Sequence, residues 1–152
     1  MNIKDTVETA VADIAWLAGF WDADGSIGLK KQGKYLMPFA TCTNTSKKAI
    51  DNIARILEAA GIEYHIEFHD RSHLHNSSDC WIIRMNSRPR VSKFLSLVKD
   101  RLVVKKEQAE LTLRWCNLPK FKKQENIPDE YWSIRDKVQS LNSRGRNSLT
   151  KP

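Results

Sequence analysis

Apolar residues recur along the chain at two different periods, and the switches between the periods outline its elements. Ile14, Leu17 and Trp21 fall at helical spacing, with Ala15, Ala18, Gly19 and Asp22 making a second stripe of small residues beside them. Asp5-x-x-Glu8 offers a capping box for this helix and Thr9 an alternative start. The pattern ends at about Trp21 or Asp22, and Gly25 stops it. Residues 26–44 then alternate in part. Ile27, Leu29, Leu36, Ala40 and Cys42 mark one face of a β-hairpin, and Gln32-Gly33-Lys34 supplies its turn. The other face carries Ser26, Gly28, Lys30, Gln32, Tyr35, Thr41 and Thr43, which are mostly hydrogen-bonding side chains.

Helical spacing returns after Ser46, a capping residue, in Ile50, Ile53, Ile56, Leu57 and Ala60, and Gly61 ends it. From Ile62 to Arg71 the chain alternates strictly, with Ile62, Tyr64, Ile66 and Phe68 on one side and His65, Glu67, His69 and Arg71 on the other. A polar loop leads to a fourth strand at about Asp79 to Asn86. There Trp81, Ile83 and Met85 are expected inward, and Cys80, Ile82 and Arg84 outward. Pro89 suits the first turn of a third helix with Val91, Phe94, Leu95 and Val98 on one stripe. A fourth helix is expected from about Lys105 to Leu118 and a last one after Pro128. The order α-ββ-α-ββ-α-α-α predicts an α+β fold, a four-stranded antiparallel sheet with the helices packed on one face. One domain over residues 1–142 is expected, followed by a basic tail, 143–152, polar enough to stay disordered.

Charge changes this picture. The net charge is +7, but residues 1–83 hold 8 Lys/Arg against 11 Asp/Glu and residues 84–152 hold 17 against 7. A basic half of that kind suits a polyanion, nucleic acid before a membrane surface. No apolar run approaches bilayer length and no signal-peptide pattern is visible, so an intracellular protein without a membrane partner is expected. Cys42, Cys80 and Cys116 are odd in number and widely spaced, as reduced core thiols would be. His65, His69, His73 and His75 match no closed zinc spacing and are expected at the surface or facing DNA.

The chemistry concentrates where the first helix ends. Asp22 and Asp24 both lie in its last turn, where the helix dipole is negative and acids are disfavoured. A divalent cation would reverse the sign of that cost. The whole run, Leu17-Ala18-Gly19-Phe20-Trp21-Asp22-Ala23-Asp24-Gly25, resembles the signature of the LAGLIDADG homing endonucleases, and the element order resembles that family's core.

The resemblance implies a site-specific double-strand DNA endonuclease that uses Mg²⁺, with Mn²⁺ or Ca²⁺ able to substitute in binding. A single motif copy implies a homodimer paired through Ala15, Ala18, Gly19 and Asp22. It also implies that Asp24 and the backbone carbonyl of Ala23 hold the metal, with Asp22 in a structural or metal-tuning role. Asn44 would orient the attacking water, Lys48 would join the solvent network, and Lys105 would act electrostatically at the site, with Lys106 as the alternative one register away. On double-stranded DNA the outward sheet face would read bases, through Ser26, Lys30, Gln32, Lys34, Tyr35, Thr41, Thr43, His65, Glu67, His69, Arg71 and Arg84. The basic residues Lys120, Lys122, Lys123, Arg144 and Arg146 would meet flanking phosphates. The alternative in the same fold is an RNA maturase or another nucleic-acid-binding protein that does not cleave.

Overall fold

The computed structural model describes residues 2–120 and 126–147, with side chains as far as Ser143. Helix α1 (Ile3–Asp24) begins earlier than the capping boxes suggested, because the Asn2 side chain accepts from the Lys4 N–H and caps it. Its first turns leave Ile3, Val7 and Val11 exposed, so no burial pattern announced them. Further on, Leu17, Ala18 and Trp21 are completely buried. Ala18 therefore belongs to the chain's own core and not to an exposed pairing stripe, which corrects that expectation.

Strands β1 (Gly25–Gln32) and β2 (Tyr35–Asn44) form a hairpin closed by Gly33 and Lys34. Gly33 has φ +59°, the left-handed value such two-residue turns demand of their first central residue. Helix α2 (Lys47–Ala59) starts at Ser46, whose hydroxyl accepts from the Ala49 N–H. Strands β3 (His65–His69) and β4 (Cys80–Met85) complete an antiparallel sheet of order β1-β2-β4-β3. β3 is shorter than its alternation, since its ladder with β4 runs only from His65–Arg84 to His69–Cys80. Arg71 thus lies beyond the strand, where its backbone N–H donates to Asp79 Oδ1 at 2.8 Å. Phe68 is half exposed against Trp81, and Cys80 is buried although expected outward.

Helices α1, α2 and α3 (Arg88–Val98) cover the inner sheet face, and Trp21 meets Phe94 at 4.5 Å between ring centroids. Helices α4 (Lys106–Cys116) and α5 (Asp129–Asn147) pack on each other and on β1. Helix α5 runs into the stretch expected to be tail, and residues 148–152 lie outside the described ones. Among the described residues no helix is long and apolar enough to cross a membrane.

The passage from α1 into β1 turns on one contact. Gly25 is extended, so its backbone suits any residue, but a Cβ there would stand 2.4 Å from Cγ and Cδ1 of the Trp21 indole. Only glycine lets the buried ring lie flat against the chain. That contact fixes where Asp24, one residue earlier, leaves the helix.

Candidate active site and outward sheet face

Register brings the site together. Gly25 pairs with Cys42, which places the preceding Asp24 beside the last residues of β2. There Asn44 Nδ2 donates to Asp24 Oδ2 at 2.9 Å, and Asn44 Oδ1 accepts from the Ser46 N–H at 2.7 Å. The amide is held from both ends, so the α2 cap and the acid share one bracket. Asp24 itself is exposed.

Asp22 has a different task. Its carboxylate accepts the backbone N–H groups of Val103, Val104 and Lys105 at 2.7, 3.1 and 2.9 Å. In return Lys105 Nζ donates to the Asp22 carbonyl oxygen. The acid is the clamp that ties the end of α1 to the turn before α4, and it carries Lys105 to the Asp24 side. This places Asp22 in a structural role and takes it off the exposed stripe. Asp24 and Lys105 both reach the buried Cys42: burial first, and the Asp24 charge second, push its thiol up to about 12, while Lys105 opposes them.

Lys48 is not joined to this group. It is exposed on the first turn of α2 and lines a groove with Trp16, Asn52 and Arg55, without a hydrogen bond to Asp24, Asn44 or Asp22. Lys106 lies exposed in the first turn of α4.

The last C=O groups of a helix have no partner within it, so Ala23 and Asp24 offer carbonyl oxygens beside the exposed Asp24 carboxylate. Hard oxygen donors at the negative end of a helix fit a hard divalent cation. No three His, Cys, Asp or Glu side chains among the described residues converge on one point.

The outward sheet face follows the pairing. Ser26, Thr41, Arg84 and His65 stand in one row across all four strands, and Thr43, Ile82 and Glu67 form the next row. Lys30 and Gln32 continue β1, Lys34 occupies the turn, and Tyr35 is exposed. Glu67 is the hub of one end. It accepts from Arg84 at 2.7 Å and lies 3.2 Å from His69 Nε2 and 3.7 Å from His65 Nε2. The His69 hydrogen bond, then the Arg84 charge, hold its carboxyl below the usual range. Met37 and Phe39 share this face by register, and the polar reading of the strands missed them, whereas Ile82 lies there as its expected outward phase required. Of the basic residues expected on flanking phosphates, Lys120 is exposed, Lys122 and Lys123 lie outside the described residues, and Arg144 and Arg146 are described by backbone alone.

Residues 12–99 match the family model of the LAGLIDADG-like domain. An uncharacterized protein of Methanocaldococcus jannaschii is 40% identical over 53 residues, which cover 35% of this chain and 20% of that protein. Among solved structures, the fold resembles the homing endonuclease I-CvuI in complex with an I-CreI target in the presence of Mg, its DNA uncleaved. The TM-score is 0.64 at 22% identity, over 88% of this chain and 83% of that one. A second I-CvuI complex with its own target in the presence of Ca gives 0.56 at 17%, over 88% and 97%. The LAGLIDADG meganuclease I-AabMI bound to uncleaved DNA gives 0.56 at 17%, over 86% of this chain and 43% of that one.

Proposed function

The chain belongs to the LAGLIDADG-like domain family, and from that premise we propose that it is a homodimeric, divalent-metal-dependent endonuclease. Its target is a specific, roughly two-fold symmetric double-stranded DNA site. The observation that carries this reading is Asp24, an exposed carboxylate at a helix C-terminus, bracketed by Asn44, with Lys105 bound to the backbone carbonyl of Asp22 two residues earlier. A surface that only binds a polyanion gains nothing from an acid so placed.

Asp24 and the Ala23 carbonyl are the groups that would hold the ion. When bound, a divalent ion polarises the scissile phosphate and acidifies a bound water. Asn44 holds Oδ2 of the Asp24 carboxylate, and Oδ1 has no hydrogen bond among the described residues. Lys105, anchored through the Asp22 carbonyl, sets a fixed positive charge against the charge that develops on the phosphate. The four-stranded face lies in the major groove and reads base edges through its polar rows.

The dimer supplies the second acid. Ala15 and Gly19 are exposed on α1, and beyond the helix's own adjoining turns no atom of the described residues lies within 4 Å of where a Gly19 Cβ would be. A mid-helix glycine costs about 1 kcal/mol against alanine, and this protomer packs nothing against it. A second α1 at close approach accounts for it.

The test is cleavage of a duplex library with Mg²⁺ by wild type and by Asp24→Asn. Discrete double-strand cuts by wild type are expected, with cutting abolished and binding retained in the variant. If the variant cuts, the assignment of Asp24 is wrong. If wild type binds duplexes tightly but never cuts, the chain is a non-cleaving binder.

A further inference from the structure

The four described strands hold a single acid, Glu67, and it stands on the outward face among basic groups. On a face that meets phosphates, a carboxylate weakens binding to every sequence alike. Its surroundings show what it does in return. Oε2 accepts from Arg84 Nη2 at 2.7 Å, with His69 Nε2 at 3.2 Å from the same oxygen and His65 Nε2 at 3.7 Å from Oε1. The tie to Arg84 runs diagonally across the ladder, since Arg84 is opposite His65 and Glu67 is opposite Ile82. It is set by sheet register and not by a loop.

Arg84 is the only permanent cation in the row Ser26–Thr41–Arg84–His65. Its side chain is 24% exposed, and Nε is buried without a partner. Nη1 is neither buried nor hydrogen-bonded among the described residues, and Nη2 is bonded to Glu67 alone. The planar fork is thus anchored on one side and open at its tip. A phosphate at that tip would bring a second anion towards Glu67. Guanine brings none: O6 and N7 stand side by side on its major-groove edge as two neutral acceptors, an arrangement no other base offers there.

We propose that Arg84 reads one guanine in each half-site and that Glu67 is the positioning residue that aims its guanidinium. The inference rests on the endonuclease reading, which lays this face in the major groove. It assigns Glu67 to discrimination, since the acid weakens binding to all DNA while holding one fork at one angle.

A target is first selected by the wild-type chain from a randomised duplex pool in Ca²⁺. Duplexes carrying each single base-pair change are then bound by wild type, Arg84→Lys, Glu67→Ala and Glu67→Gln. Wild type should depend on one G·C pair per half-site, whose change to A·T weakens binding about tenfold. A deaza-guanine that lacks the N7 acceptor should cost about threefold at that position and nothing beside it. Arg84→Lys keeps the charge but loses the fork, so this preference should shrink to about twofold while binding to an unrelated duplex is unchanged. Glu67→Ala should lose the same preference yet bind an unrelated duplex about threefold more tightly. Glu67→Gln is nearly isosteric, so it guards against misfolding, and it keeps an acceptor for Arg84 without the charge. It should gain the same affinity and retain most of the preference, which separates aiming from charge. A selected target without such a guanine, a preference unchanged in Glu67→Ala, or an Arg84→Lys variant weakened equally on all duplexes overturns the proposal and leaves the endonuclease reading standing. A chain that selects no duplex at all overturns both.

Discussion

Removing the Asp22 clamp separates a positioning role from a metal-tuning one. The Asp22 carboxylate takes three N–H groups at 2.7–3.1 Å and is half-buried, whereas Val103 and Val104 beside it are 84% and 70% exposed. Hydrogen bonds to a charged acceptor contribute about 1.5–3 kcal/mol each when buried. Water can reach the freed N–H groups of this exposed turn, so Asp22→Ala should cost about 3 kcal/mol in total rather than the full sum. For a chain of this size that is a fall in Tm of roughly 6–12 °C. Asp22→Asn keeps one accepting oxygen and should lose about half as much.

The kinetic effect is larger in kind. With the turn released, the backbone of Lys105 is no longer held and its side chain shifts although the residue-22 carbonyl remains, and misplacement of such a group by about 1 Å can cost roughly a hundredfold in rate. Single-turnover cleavage at saturating protein should therefore slow about a hundredfold in Asp22→Ala, with DNA affinity and the Mg²⁺ midpoint unchanged. A variant that cuts at the wild-type rate with an unchanged Tm refutes the clamp. A variant whose only defect is a shifted Mg²⁺ midpoint refutes the positioning role in favour of metal tuning.

Three further outcomes follow from the geometry. Gly25→Ala forces a Cβ to 2.4 Å from the Trp21 indole and should destabilise the fold by about 2–3 kcal/mol, read in urea. Gly19→Leu meets open space in the protomer, so its monomer should melt normally while light scattering shows the dimer lost and cleavage falls with it; a normal dimer would sink the pairing helix. Burial raises Cys42 to about 12 and Cys116 to about 11, above the ordinary thiol value of 9.0. The unfolded chain thus releases these protons first. Their contribution is whole below pH 9 and lost as pH climbs towards 11–12, by up to ~1.4 kcal/mol per pH unit and thiol. A double Cys→Ala variant should flatten that slope in urea titrations.

How much of this could be read along the chain depended on range. The strands announced themselves because alternation is local: Ile27, Leu29, Leu36, Ala40 and Cys42 are all buried as their period required. The motif announced Asp24 for the same reason. The start of α1 stayed hidden because Ile3, Val7 and Val11 bury nothing, and Ala18 was misplaced because a small residue looks alike in a core and at a helix contact. The Asp22 clamp was invisible because its partners are 81–83 residues away in the chain. Of the Glu67 hub, the flanking His65 and His69 were legible as same-face neighbours on one strand, but Arg84 was not, since only the pairing of His65 with Arg84 brings it there.

The row Ser26–Thr41–Arg84–His65 runs across the sheet, while heredity runs along the chain. If a row reads neighbouring positions of a half-site, each stretch of target is spelled by residues from both hairpins. A recombination joint between β2 and β3 would then exchange half of every row at once, scrambling recognition instead of transplanting it. New targets would be reached by point substitutions coordinated across strands, two or three at a time, so variants shuffled by hairpin should lose their site more often than variants altered along one row.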